Sequence, residues 1–179
     1  MATLIRERRI AASNWRLLEA DAAEAPATGD VIVPLALWQA QRAQLLTRAG
    51  RLGVRLEPHE DPAAIADDIG LFGVIAVNFP KFGDGRGYST ARLLRERYGY
   101  KGELRAIGDV LRDQLYYMQQ CGFNAFALRS DRSLEDALQA VGDFSDGYQA
   151  SVRQPMPLFR RRAPPGAMPE HLAAASDPP

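Results

Sequence analysis

Leu71-Phe72-Gly73-Val74-Ile75-Ala76-Val77 is a near-continuous apolar run. It lacks the alternation of a half-solvated strand, so it reads as a central strand buried on both faces. The flanking signals repeat one pattern. Upstream, Gly53 to Glu57 is a strand, and Asp61-Pro62 starts a short helix over 62–69 that stops at Gly70. Further upstream, Val31-Ile32-Val33 is a buried strand. Pro34 suits the first helical turn, and Leu35 to Ala49 is a helix ended by Gly50. Leu35, Trp38, Leu45 and Leu46 form its apolar face.

Downstream comes a long loop over 78–88. Ser89 is placed to cap a helix over 90–98 that ends at Gly99. Glu103 to Ile107 is a strand, Asp109 caps a helix over 110–120, and Phe123 to Leu128 is the last strand. Ser133 and Asp136 resemble a capping box for a helix over 134–141. Strands joined by crossover helices are parallel, and the crossovers are right-handed. The reading is an α/β fold of about five βα units, forming an open parallel sheet or a partial barrel. Leu4 to Ile10 and Trp15 to Leu18, around a turn at Ala12-Ser13-Asn14, add antiparallel edge strands. Residues 1–150 make a single domain. Residues 151–179 are rich in Pro, Ala and Arg and read as a largely disordered tail, with Phe144, Tyr148 and Phe159 as candidate tethers.

Composition narrows the function. The chain has 179 residues, enough for one domain with a sizeable core. Lys+Arg and Asp+Glu are both 22, which argues against a nucleic-acid binder driven by bulk charge. Cys121 is the only cysteine, so neither an internal disulfide nor an autonomous iron–sulfur centre or zinc site follows. No apolar run approaches membrane-spanning length, and the start lacks a signal-peptide apolar core, so a cytoplasmic location is expected.

Parallel α/β folds bind ligands beyond the carboxyl ends of their strands. There the strand 71–77 runs into Asn78, Lys81, Asp84 and Arg86, the strand 103–107 into Asp109, and the strand 123–128 into Arg129 and Asp131. Gly83-Asp84-Gly85-Arg86-Gly87 before a helix capped by Ser89 suits a small anion, with Arg86 and Arg92 adding charge. The bland alternative is a surface loop whose glycines only make turns. Arg105 sits within a strand, on the face opposite Leu104 and Ala106, and needs a partner such as Asp109 or Asp84. A structural salt bridge and a ligand role weigh equally there. Asp109 and Asp113 could do acid–base work or hold Mg²⁺, although Asp109 is also an ordinary helix cap. His59 is a loop histidine with a small claim to act as a base. Cys121 precedes Gly122 at a helix end, where a thiol is unreactive. Tyr116, Tyr117 and Met118 cannot all face the core, which leaves one for a contact surface.

Three segments carry a resemblance: Phe79 to Ser89, Ala91 to Arg95, and Gly102 to Gln114. They resemble the core of the bacterial domain-of-unknown-function 934 family. The resemblance implies a place in sulfur assimilation and cysteine biosynthesis, because members are described as oxidoreductases of sulfite reduction encoded beside sulfite reductase. It implies no established mechanism and no fixed cofactor. A flavin phosphate in the Gly-rich loop is one option, and redox centres held by a sulfite reductase partner are another.

The reading is therefore an accessory or oxidoreductase-like component of assimilatory sulfite reduction. Lys81, Arg86, Ser89, Arg92 and Arg129 bind a small anionic ligand, while Asp84, Asp109 and Arg105 position groups or move protons. The alternatives are a non-catalytic partner of sulfite reductase and a partial-barrel Mg²⁺ enzyme acting on a carboxylate. Open sheet edges also suit a homodimer.

Overall fold

The computed structural model describes residues 2–129, 131–142 and 148–161. Eight strands form one sheet. They are β1 (Ala2–Arg6), β2 (Arg9–Ser13), β3 (Arg16–Leu17), β4 (Val31–Pro34), β5 (Leu52–Leu56), β6 (Phe72–Phe79), β7 (Glu103–Gly108) and β8 (Ala125–Phe126). The spatial order is β2-β1-β8-β7-β6-β5-β4-β3. All pairs from β3 to β8 are parallel, and the β1–β2 hairpin adds to β8 antiparallel.

The six parallel strands keep their chain order, so every crossover steps the same way. With one handedness, all the connecting helices fall on one face. These are α1 (Leu35–Thr47), a 3₁₀ turn at Pro62–Leu71, α2 (Arg86–Arg92) continued as a π turn through Arg97, and α3 (Leu115–Gln120); α4 (Leu134–Gly142) follows β8 and packs against α3, β1 and β2. A short α5 (Leu158–Arg161) follows. The sheet curls into a half-barrel with the helices outside. The partial-barrel expectation holds.

The main core lies between sheet and helices. Ile75, Val77, Phe79, Val54, Leu56, Leu104 and Phe126 pack there against Trp38, Ile65, Leu94, Leu115 and Met118. Trp38 meets Phe72 edge-on at 4.9 Å and donates from Nε1 to Asp68. The inner face carries a smaller cluster of Trp15, Ile32, Val74, Ala76 and Ile107. Leu46, placed on the apolar face of α1 by its spacing, is 44% exposed, and Leu37 is buried instead.

Several local expectations need correction. The hairpin turn is Glu7-Arg8, not residues 12–14, and both residues have positive φ (49° and 61°). Such two-residue turns match the sheet's twist but disfavour non-glycine residues. Here a distant residue holds the turn: Glu7 N donates to Asn124 O, and Asn124 Nδ2 donates to Glu7 Oε1. The third N-terminal strand, β3, is parallel and sits at the opposite edge, beside β4.

Helix α2 begins at Arg86, so Ser89 lies inside it and does not cap it. The cause is packing. A Cβ on Gly87 would stand 2.7 Å from Cζ of the buried Phe79, so glycine lets the first turn press onto the core. Asp109 likewise caps no helix: the next turn starts at Arg112, after Leu111. Asp61 does cap its 3₁₀ turn, accepting from Ala63 N at 2.8 Å. Asp136 N donates to the hydroxyl oxygen of Ser133 at 3.2 Å.

Of the candidate tethers, Tyr148 is 69% exposed, while Phe144 and the Phe159 side chain lie outside the described residues, as do residues 162–179. Tyr148 lines a cleft with Tyr116, Tyr117 and Cys121, and Val152 donates its N–H to Gln120 O at 3.1 Å.

Candidate functional site

The carboxyl ends of β6, β7 and β8 converge on Asp109. Its N–H donates to Phe79 O at 2.7 Å. One carboxylate oxygen accepts from Phe82 N at 3.1 Å, and the other accepts from Arg129 Nη1 at 3.0 Å. Arg129 also pairs with Asp131 at 2.7 Å. Gly108, before Asp109, has φ of +93° and no room for a side chain between Asn78 Oδ1 and Phe79 O. Asp109 thus fastens the loop after β6 to the loop after β8.

Asp84 and Arg86 form a second rim pair at 2.7 Å. The Arg86 guanidinium holds the Asp84 carboxyl below its ordinary range, and Asp84 in turn raises the Arg86 value. Asp84 takes up part of the donor set at the start of α2. Asp84 Oδ1 already accepts the Arg86 N–H at the start of α2, where the helix would receive an anion. The N–H groups of Asp84 and Tyr88 donate to Lys81 O and Gly85 O. Lys81 and Phe82 are exposed on the same loop.

The inner face carries a second polar group. Arg105 is 4% exposed and pairs with Glu103, not with Asp109 or Asp84. Its Nε donates to Glu103 Oε1 at 2.7 Å, while Nη2 lies 2.6 Å from the same oxygen at an angle too oblique for a second hydrogen bond. Arg6 reaches the other Glu103 oxygen at 3.4 Å. On β5, Arg55 Nε donates to Glu57 Oε1 at 2.6 Å, and Asn78 Nδ2 donates to Glu57 Oε2 at 2.7 Å. Strand alternation places Arg55, Glu57, Asn78, Glu103 and Arg105 on one face.

The structure therefore gathers Lys81, Asp84, Arg86, Asp109 and Arg129 on the loops at one end of the sheet and leaves Arg105 buried on the inner face. Arg92 pairs with Glu96 along its helix at 3.2 Å and lines a cleft with Tyr117. Ser89 is exposed within α2. Asp113 and His59 are exposed, and among the described residues no group of three or more His, Cys, Asp or Glu is placed to hold a metal. Burial pushes the Cys121 thiol up.

Arg55 is the residue the sequence reading missed. Val54-Arg55-Leu56 carries the same signal as Leu104-Arg105-Ala106, a cation between two apolar strand residues.

Residues 53–159 match the family profile described as "Bacterial protein of unknown function (DUF934)". The chain belongs to the DUF934 family. No curated protein matches it. The DUF934 match runs from β5 through the segment that follows α4, so it contains both the Asp109 junction and the inner-face arginines. Among the described residues, no helix is long and apolar enough to cross a membrane.

Proposed function

We propose that this DUF934 protein is an accessory component of assimilatory sulfite reduction that engages an oxyanion through Arg86 and Arg129 on its rim. The pathway rests on what the family resemblance implies. The anion role rests on one physical observation. Arg86 and Arg129 keep 61% and 43% of their side-chain surface in solvent, Arg86 paired with Asp84 and Arg129 with both Asp109 and Asp131. Exposed pairs of this kind contribute only about 0–1 kcal/mol. An incoming oxyanion can therefore compete for either guanidinium. The buried Arg105–Glu103 pair offers no such opening. In this reading Asp109 positions Arg129, Asp84 positions Arg86, and Arg105 holds the sheet beneath them.

The first experiment is native mass spectrometry, with an absorbance spectrum, on protein purified from its own host. A bound oxyanion or pigment that is lost in Arg86→Ala and Arg129→Ala supports the rim. A bound species that both variants retain contradicts it.

A second reading, a non-catalytic partner of sulfite reductase, is favoured by Phe82. Its side chain is 52% exposed, yet its backbone is clamped at both ends, by Asp109 on N–H and by Gln114 Nε2 on C=O. A rigidly held exposed aromatic is a typical anchor for a protein interface. Tyr117, 56% exposed, is a second candidate. Loss of sulfite reductase co-purification in Phe82→Ser, with Arg86→Ala and Arg129→Ala unaffected, would select this reading.

A further inference from the structure

Arg95 lies in the π turn that continues α2, a helix form found frequently at functional sites. Three main-chain carbonyls hold its guanidinium. Nε donates to Gly122 O at 2.9 Å, and Nη1 donates to Tyr100 O at 2.6 Å and to Gly102 O at 3.0 Å. The guanidinium carbon stands 5.3 Å from the centre of the Tyr100 ring. Gly122 has φ of +107°, and a Cβ on it would stand 2.5 Å from Arg95 Cγ, so glycine gives the side chain its clearance.

This clamp leaves a half-buried charge with no carboxylate paired to it among the described residues. Glu96, the next acid along the chain, pairs with Arg92, and Glu7 accepts from Asn124. Burial pushes Arg95 below the ordinary arginine value, as it does for a cation taken partly out of water. The clamp uses Nε and Nη1 and leaves Nη2 with no acceptor among the described residues. Unlike Nη2 of Arg105, this atom is not sealed from solvent.

Arg95 lines a cavity of about 550 Å³, with residues 150–152 and Pro155 as its far wall. Lys101 lines the same cavity. It sits between Tyr100 and Gly102, whose carbonyls Arg95 Nη1 holds, so its backbone is fixed beside the guanidinium. Lys101 is exposed and makes no ion pair among the described residues. On the far wall, the Ser151 hydroxyl oxygen accepts from Gln154 N, which leaves its proton free to donate. The Arg92–Glu96 pair on the lining is balanced within itself. The free groups are therefore all donors, and two of them are cationic.

We propose that this cavity binds a phosphate monoester. The phosphoryl group takes the unused donors of Arg95 Nη2, Lys101 and Ser151, and its two charges match the two cations. The guanidinium is already held in place, so little ordering is lost on binding. The ester body lies against Val152 and Pro155, in a volume within the range of roughly 300–1,000 Å³ that ligand pockets occupy. The site is separate from the rim and does not depend on the sulfite reading.

The test is isothermal titration of the full chain with phenyl phosphate, and with inorganic phosphate and phenol as its two halves. Saturable one-site binding of phenyl phosphate is expected, about tenfold or more tighter than inorganic phosphate. Lys101→Gln should weaken it by about tenfold or more, as loss of a charge-assisted bond implies. Arg95→Met should abolish it, and Arg86→Ala/Arg129→Ala should bind as wild type does. No saturation up to about 10 mM would overturn the proposal. So would inorganic phosphate or phenol binding as tightly as the ester, affinity unchanged in Lys101→Gln, or binding lost in the rim variant. Lys101 is exposed, so its variant remains informative even if Arg95→Met perturbs folding.

Discussion

Arg55 and Arg105 stand in one rank across the sheet, on either side of Ala76. Each pairs along its own strand with a glutamate two residues away, Glu57 after the first and Glu103 before the second. The inner face thus carries two ion pairs pointing to opposite ends of the half-barrel. The Arg105 pair is the more buried, at 5% and 11% side-chain exposure against 14% and 20%. Removing one partner of a buried pair leaves an uncompensated charge. Glu103→Leu should therefore cost about 3–5 kcal/mol, and Arg105→Met/Glu103→Leu should recover most of that loss. Urea unfolding of the two variants checks this, and Glu57→Leu should cost less than Glu103→Leu.

The glycines of the rim loop should divide by role. Gly87→Ala drives a Cβ into the ring of Phe79 and should destabilise by about 1–3 kcal/mol. Gly83→Ala meets no atom within 4 Å and should stay within about 0.5 kcal/mol of wild type. Thermal unfolding of both separates a glycine needed for packing from one that only shapes a loop.

That division shows how much of the site the sequence discloses. The alternation of strands and helices, the central strand and the rim position of Asp84, Asp109 and Arg129 are legible because each depends on local pattern. The start of α2 is not, because it depends on Phe79 pressing against Gly87. The turn at Glu7-Arg8 is hidden for a similar reason, since Asn124, more than a hundred residues away, holds it. The partner of Arg105 was within reach: Glu103 lies on the same face two positions earlier, nearer than Asp109.

Asp109 should act as the fastener of the rim. Asp109→Ala removes the acceptor for Phe82 N and the contact to Arg129. The Phe82 amide should then exchange hydrogen faster, while the amides of β6 and β7 keep their protection. Exchange measured by mass spectrometry distinguishes this local loosening from global destabilisation.

Acid should weaken the ion pairs that Asp68 makes with Arg42 of α1 and Asp30 makes with Arg51 before β5. Hydrogen bonds from Arg42 hold the Asp68 carboxyl below its ordinary value, and Arg51 does the same for Asp30. A lowered folded value means that the stabilisation is complete above the unfolded value of about 3.9 and is lost as pH falls through the folded one. Arg42→Gln should therefore lower stability at neutral pH and flatten its decline below about pH 4, as read from urea midpoints.

Cys121 should resist alkylation. It is 3% exposed and burial raises its thiol, so little thiolate forms near neutral pH. Iodoacetamide should label it slowly in the native protein and readily in urea.

The most direct test of the central claim is growth of the native host, with this gene deleted, on sulfite as the sole sulfur source. The account predicts that the deletion strain needs cysteine, that the wild-type gene restores growth, and that folded Arg86→Ala/Arg129→Ala does not. Normal growth of the deletion strain on sulfite would contradict it.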